Sequence, residues 1–359
     1  MGNGRSILEA ERRKVSIIVP AHDAAQTLSL CLDAIAQSTI EPYETLVVCD
    51  GCSDETADIA RQYGARTIEY AERRGASYAR NVGGAAAHGD IFFFIDSDCV
   101  VLPDTVAIGT QTILDGEQII FGSYSRDTRV SGFLTKFKNL QHHYTHQHGA
   151  DYQTTFWSGC GVVTRKVFED TGGFDVDLPS CEDIEFGSAA IKQGYEVRLI
   201  RTMQVEHLKQ YDLLGLVRSD LFQRAAPWTQ LIFSGRVKMG ALNTDWKGRA
   251  SVTATGFVIL GLLGSPFWLP GLAVATAALL TLVAANLGLL RLLRQELGWA
   301  LSVVSVGSLL LHYSICGIGY VVGHFLPRLP RSRTVISQYS WVDSGLPETY
   351  SGVAAKTSP

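Results

Sequence analysis

Charge is what this 359-residue sequence has least of, at 18% of residues, and its absence is local. No Asp, Glu, Lys or Arg occurs from Ala250 to Leu290 or from Leu297 to Pro327. Such windows exclude ordinary solvated helices, and they account for the positive mean hydropathy. An excess of basic residues is also lacking, with 31 Lys+Arg against 35 Asp+Glu. That removes the cationic field on which nucleic-acid partners depend. Cysteine is sparse and odd in number, seven in all, which excludes a paired disulfide framework. Cys49 and Cys52 form one C-x-x-C with no second to complete a four-sulfur zinc site. Met1 to Lys14 holds no apolar core of a secretion signal, so the soluble part is expected in the cytoplasm.

What is present begins as alternating strands and helices. Val15-Ser16-Ile17-Ile18-Val19-Pro20 and Thr45-Leu46-Val47-Val48-Cys49 are short apolar runs, as in strands buried on both faces. Arg66 to Glu69 and Ile91-Phe92-Phe93-Phe94-Ile95 add two more strands. Between them lie a helix on Leu28, Leu32 and Ile35, another opened by Ser53-Asp54-Glu55, and an Ala/Gly-rich one from Ala76 to His88. This alternation predicts an α/β domain with a mostly parallel central sheet. Farther on, Phe133, Phe137, Leu140 and Tyr144 line one helix face, expected against the domain core or a bilayer. His142, His143, His146 and His148 cluster at that helix's end, which is expected to be solvated or membrane-facing. Tyr211 to Ser234 reads as a helix broken or bent at Pro227.

The first uncharged window holds 41 residues. As one helix it would run ~60 Å, about twice a bilayer core, so it is expected to fold as two spans turning at Ser265 to Gly271. Lys247, Arg249, Arg291 and Arg294 would then share one side of the membrane. Leu297 to Leu326 suffices for one further segment, spanning, re-entrant or interfacial. The expected organisation is an N-terminal arm (1–14), a soluble domain (15–245), a membrane domain (246–333, hairpin about 250–290 and third segment about 297–326) and a polar tail (334–359).

Chemistry concentrates where the most apolar strand ends, at Asp96-Ser97-Asp98. Two carboxylates at positions i and i+2, at the carboxyl edge of a parallel sheet, suit a hard Mg2+ or Mn2+ ion bridging to diphosphate oxygens. The surrounding strings resemble family 2 glycosyltransferases of the GT-A fold, from about Val15 to His207. Val15 to Asp23 is similar to that family's first strand and donor-nucleoside loop, which implies donor contacts at Pro20, Ala21 and His22. Val47-Val48-Cys49-Asp50-Gly51-Cys52-Ser53-Asp54-Glu55-Thr56 resembles V-D-D-G-S-x-D-x-T, with Cys49 in place of the first Asp. The likeness implies that Asp50 reads the base. Gly75-Ala76-Ser77-Tyr78-Ala79-Arg80-Asn81-Val82-Gly83 resembles the family's G-x-x-x-A-R-N-x-G helix, with Arg80 near the phosphates or bracing the sheet edge. Asp96 joins the implied donor-binding residues as well as the metal ligands.

The second half carries the acceptor side of the same resemblance. Trp157-Ser158-Gly159-Cys160-Gly161, Gly172-Gly173-Phe174-Asp175 and Glu182-Asp183 follow in the family's order. They imply acceptor-side roles for Trp157, Gly159 and Glu182, with Asp183 as the general base of an inverting transfer. His207 fits the place of a third metal ligand beside Asp96 and Asp98, or a structural histidine. Gln223-Arg224-Ala225-Ala226-Pro227-Trp228 departs from the Q-x-x-R-W spacing of processive synthases, so processive synthesis is not expected.

The resemblance therefore implies metal-dependent, inverting transfer from a UDP-, GDP- or dTDP-sugar to a membrane-associated acceptor. That acceptor is expected to be lipid-linked or a glycan of a cell-envelope polysaccharide or glycolipid. The enzyme would be integral to the cell membrane with its catalytic domain cytoplasmic. A polyprenyl-phosphate acceptor and a non-catalytic membrane scaffold are the alternatives. Nucleotidyl transfer is weaker, because Pro20 to Ala25 contains no Gly for a phosphate loop.

Overall fold

A computed structural model of the chain describes residues 14–238, 245–330 and 333. They fall into two compact units. The first takes the chain through Asp127, Ala150–Leu208 and the part from Arg333; the second takes Thr128–Gly149 and Lys209–Ser332.

The first unit is built on one mixed sheet. Its strands are β1 (Val15–Ala21), β2 (Glu44–Asp50), β3 (Arg66–Tyr70), β4 (Ile91–Ile95), β5 (Cys99–Val101), β6 (Ile119–Tyr124), β7 (Tyr152–Gln153), β8 (Cys160–Thr164) and β9 (Val197–His207). They run in the order β3-β2-β1-β4-β8-β6-β9-β5, with β7 beside β9. Pairing is parallel from β3 to β4 and between β6 and β9, while β8 lies antiparallel between β4 and β6. Helices α1 (Leu28–Ala36), α2 (Thr56–Gln62), α3 (Ala76–Ala86), α4 (Thr105–Leu114), α6 (Arg165–Thr171) and α7 (Glu182–Lys192) belong to the same unit. The helix α5 (Phe133–His148) belongs to the second.

Every residue of β1 and β4 is buried, as continuous apolar runs require when both sheet faces are covered. Phe92 and Phe94 of β4 meet Phe168 and Phe174 on one face, and Phe93 faces the cluster containing Leu28, Val162 and Met203 on the other. Each fully buried Phe contributes roughly 1.5–3 kcal/mol, so β4 anchors the sheet. Close packing of α3 is enforced by Gly83, where a Cβ would stand 2.3 Å from the Ile18 side chain.

The second unit is helical. It holds α5, α8 (Leu213–Arg218), a π-helical stretch (Ser219–Ala225), α9 (Ala226–Phe233), α10 (Trp246–Gly264), α11 (Pro270–Ala285) and α12 (Leu287–Phe325). Pro227 does not break the segment from Leu213 to Phe233. The wider π turn ends just before it and absorbs the carbonyl that a proline ring would strike in a regular helix. The chain turns at 265–269, inside the stretch expected to turn. α12 begins ten residues earlier than the expected third segment and breaks at Gly298, whose φ of 81° is outside the helical region. Among the described residues, α12 alone is long and apolar enough to cross a membrane.

The boundary expected at residue 245 falls inside the second unit, which also takes in Thr128–Gly149. Phe137 and Leu140 of α5 are buried against Leu289, Leu293 and Leu309, with Phe133 and Tyr144 packed alongside. The apolar stripe of α5 is therefore core of the second unit rather than a bilayer face. His146 is buried too, where a solvated or membrane-facing helix end was expected, and burial followed by His143 pushes its pKa down to about 3.

Candidate active site

The site forms where β4 and β9 end and β8 begins. Asp96-Ser97-Asp98 is a tight turn between β4 and β5, closed by the Cys99 amide donating to the Asp96 carbonyl at 2.9 Å. β5 pairs antiparallel with β9, and the register sets Cys99 opposite His207. The Leu208 amide then donates to the Asp98 carbonyl at 2.8 Å, which brings the His207 Nε2 to 3.3 Å from Asp98 Oδ2. Asp98, Cys99 and His207 each offer an atom within 4.8 Å of the others, the one such group among the described residues. Cys99 is a fully buried thiol, and burial, then the Asp98 and Asp96 charges, hold it protonated. The oxygen and imidazole donors are the ones that fit Mn2+ or Mg2+.

Asp96 is drawn elsewhere. Its Oδ1 accepts from Arg80 Nη2 at 2.7 Å, while Arg80 Nη1 donates to Glu182 Oε1 at 2.7 Å. Arg80 is itself buried, its guanidinium 5.5 Å from the centre of the Phe174 ring. Burial disfavours its charge, but Asp96 and Glu182 more than compensate and raise its pKa above the ordinary arginine value. One cation thus ties the Asp96–Asp98 turn to the first turn of α7.

That first turn holds Glu182, Asp183 and Glu185. The residue before it, Cys181, has φ 60°, a left-handed conformation that reverses the chain into the helix. Asp183 Oδ1 accepts from the Ile184 amide at 2.8 Å, and Oδ2 takes a long bond from Ser158 at 3.4 Å. Burial, then the Glu182 charge, push its pKa up to about 7, against the lowering effect of Arg80.

On the β8 side, Gly159 is required because a Cβ there would stand 2.6 Å from the Trp157 ring. Its carbonyl accepts from the Asp96 amide at 3.4 Å. Trp157 stacks on Tyr124 at 4.4 Å between centroids, and Tyr124 meets His207 edge-on at 5.1 Å. Tyr124 escaped the sequence reading, because a tyrosine ending a strand gives no local sign of what it packs on.

Across the sheet, Pro20 and Ala21 pair with Val48 and Cys49. The His22 Nδ1 lies 2.7 Å from the Asp50 carbonyl, which only accepts, so Nδ1 carries the proton. The Asp50 carboxylate accepts from the amides of Arg74 at 2.7 Å and Gly75 at 2.6 Å, fixing the loop that opens α3. Gly51, with φ 66°, lets that loop approach, since a Cβ there would be 2.5 Å from the Arg73 nitrogen. Asp50 is thus at the strand end as expected, with both oxygens already engaged by backbone.

With this geometry in hand, the comparisons are specific. The model of the family described as "Glycosyl transferase family 2" matches residues 16–172. The domain formed by these residues belongs to glycosyl transferase family 2. Its mixed α/β sheet is GT-A-like, as in its solved neighbours. The chain is 28% identical over 197 residues to glycosyltransferase AglE of Haloferax volcanii, spanning 51% of this chain and 63% of that one, just under two thirds. It is 25% identical over 293 residues to the O-antigen chain rhamnosyltransferase RfbN of Salmonella typhimurium, covering 77% of this chain and 88% of the relative. Among solved structures, the mannosyltransferase PcManGT from Pyrobaculum calidifontis, in complex with GDP-Man and Mn2+, superposes with a TM-score of 0.53. That likeness covers 88% of this chain and 95% of the other at 19% identity, and it speaks for the fold.

Proposed function

We propose that the enzyme is an inverting glycosyltransferase that moves a sugar from a nucleotide sugar to a hydroxyl of a membrane-associated acceptor. The observation that carries this reading is the half-buried Asp183, whose carboxyl is pushed up to about 7 beside a Glu182–Arg80–Asp96 bridge. A base needs a pKa near ambient pH to take a proton efficiently. Asp183 removes the acceptor hydroxyl proton as that oxygen attacks the anomeric carbon, and the nucleoside diphosphate leaves from the opposite face. Arg80 keeps Glu182 and Asp96 from repelling one another, so the base and the leaving-group side stay in register. Asp98 and His207 would hold Mn2+ or Mg2+ with Asp96 beside them, and the ion would offset charge on the departing diphosphate. Pro20, Ala21, His22 and the Asp50 strand end form the nucleoside side, where the second lone pairs of Asp50 remain for a ring N–H. Trp157, Gly159 and Glu182 face the acceptor.

A hydroxyl acceptor is favoured over polyprenyl phosphate. A phosphate dianion is already a nucleophile and has no use for a base tuned upward. Membrane attachment is supported by α12 and by exposed Phe257, Leu260, Leu263, Phe267, Trp268 and Val303 in the second unit. The catalytic unit would work at the cytoplasmic face. The O-antigen name of one relative supports a lipid-linked cell-envelope glycan as acceptor.

The test is detergent-purified enzyme given a panel of UDP-, GDP- and dTDP-sugars with Mn2+ or Mg2+ and membrane lipid extract. Metal-dependent nucleotide release, abolished in Asp98→Ala and Asp183→Asn, is expected. Equal release by wild type and Asp183→Asn would sink the assignment of the base.

A further inference from the structure

The first turn of α7 is gripped from two sides. Arg80 holds Glu182, as described above. Two positions beyond Asp183, the Glu185 side chain is 2% exposed, and its Oε2 accepts from Arg333 Nε at 2.8 Å. The remaining arms of that guanidinium donate to the carbonyls of Thr171 and Gly173, the second at 2.6 Å. The same loop is pinned again by Asn81. Its Nδ2 donates to the Phe174 carbonyl and its Oδ1 accepts from the Phe174 amide, both at 2.7 Å. Gly173 has φ 76°, and a Cβ there would stand 2.4 Å from Asn81 Oδ1. The loop entering the catalytic turn therefore has no room to shift while both partners hold.

We infer that Arg333 is a positioning residue for transfer. It touches neither donor nor acceptor, and it sets the orientation of the turn that carries Asp183. The inference rests on the reading of Asp183 as base. A buried carboxylate such as Glu185 requires a partner in any case, so simple stabilisation is the competing role. What distinguishes the two is direction. A planar guanidinium serving one carboxylate and two carbonyls fixes an angle, which an ammonium at the same place would not do.

The experiment compares Arg333→Lys, Arg333→Ala, Glu185→Gln and the Arg333→Lys/Glu185→Gln double variant with wild type and Asp183→Asn. Turnover is measured on the most active donor of the panel, and binding on the matching nucleoside diphosphate with Mn2+. Small displacements of a catalytic group cost up to about 100-fold in rate. Arg333→Lys is therefore expected to lose about 10- to 100-fold in kcat with nucleotide affinity and binding stoichiometry within twofold of wild type. The double variant is expected to be no worse than its poorer parent, the mark of one shared interaction. Wild-type kcat in Arg333→Lys overturns the inference. So does a loss of kcat matched by an equal loss of binding stoichiometry, which reports unfolding. If Asp183→Asn keeps wild-type turnover, the reading of the base fails, whatever Arg333 does.

Discussion

His207 Nε2 stands 3.3 Å from Asp98 Oδ2 because its strand pairs Cys99 directly with His207. Strand register, rather than loop chance, makes them neighbours. If the pair holds the ion, His207→Ala should raise the Mn2+ concentration needed for half-maximal turnover by about 10- to 100-fold, the cost typical of a lost metal-site partner. Turnover at saturating Mn2+ should recover most of its wild-type value. Titrating activity against Mn2+ checks this, and an unchanged metal requirement would remove His207 from the ligand set.

Arg80 lowers the Asp183 pKa while Glu182 raises it. Removing the cation leaves the Ile184 amide as the one lowering influence against burial and the Glu182 charge. The acid limb of kcat/KM should therefore move to higher pH in Arg80→Ala, while Arg80→Lys keeps the charge and moves it less. Loss of the fork geometry should still lower kcat in the lysine variant. Paired pH profiles of the two variants decide it; coincident acid limbs in wild type and Arg80→Ala would contradict the electrostatic role.

How much of this was legible beforehand depended on separation in the chain. β4 and the Asp96–Asp98 turn were readable because an apolar run and its two terminal carboxylates are contiguous. Glu182 and Asp183 were readable as an acidic helix start. The Arg80–Glu182 bridge joins residues 102 positions apart, and nothing in either string names the other. Asp50 was found at its strand end, yet its grip on the Arg74 and Gly75 amides depends on a loop approach that only Gly51 permits. The stripe on α5 had the period of a helix face, but period does not say whether protein or lipid covers it. Its partners, Leu289, Leu293 and Leu309, lie on a helix far along the chain.

Within the second unit, Lys138 Nζ donates to Asp220 Oδ2 at 2.6 Å, with side chains 2% and 3% exposed. Asp220 also receives Arg224 at 2.9 Å and meets His312 at 3.1 Å, so α5, the π stretch and α12 share one carboxylate. Breaking a buried pair by deleting one partner costs about 3–5 kcal/mol, and the remaining Arg224 should reduce that for Lys138→Ala to about 2–3 kcal/mol. Replacing both partners, as Lys138→Met/Asp220→Leu, should cost less than Lys138→Ala alone. Thermal unfolding in detergent measures both, and equal melting temperatures for wild type and Lys138→Ala would show the pair to be unimportant.

The pH dependence of Asp183 gives a prediction with two signs. A carboxyl with an ordinary pKa of 3.8 in the unfolded chain and about 7 in the folded one keeps its proton longer when folded. Between those values the native state binds more protons, so this group's contribution to stability falls as pH rises from about 4 to about 7 and is level above that. The slope is at most about 1.4 kcal/mol per pH unit. Asp183→Asn, which does not titrate, should thus match wild type in melting temperature near pH 4 and exceed it increasingly up to pH 7. Catalysis runs the other way, because only the ionised carboxylate accepts a proton. Wild-type kcat/KM should rise with pH to a plateau, with a midpoint near 7. The enzyme would then gain activity over the same interval in which this side chain loses stability. A melting-temperature gap that stays constant across pH 4 to 8 would show that Asp183 titrates as an ordinary carboxylate and would deny it the tuned pKa a base requires.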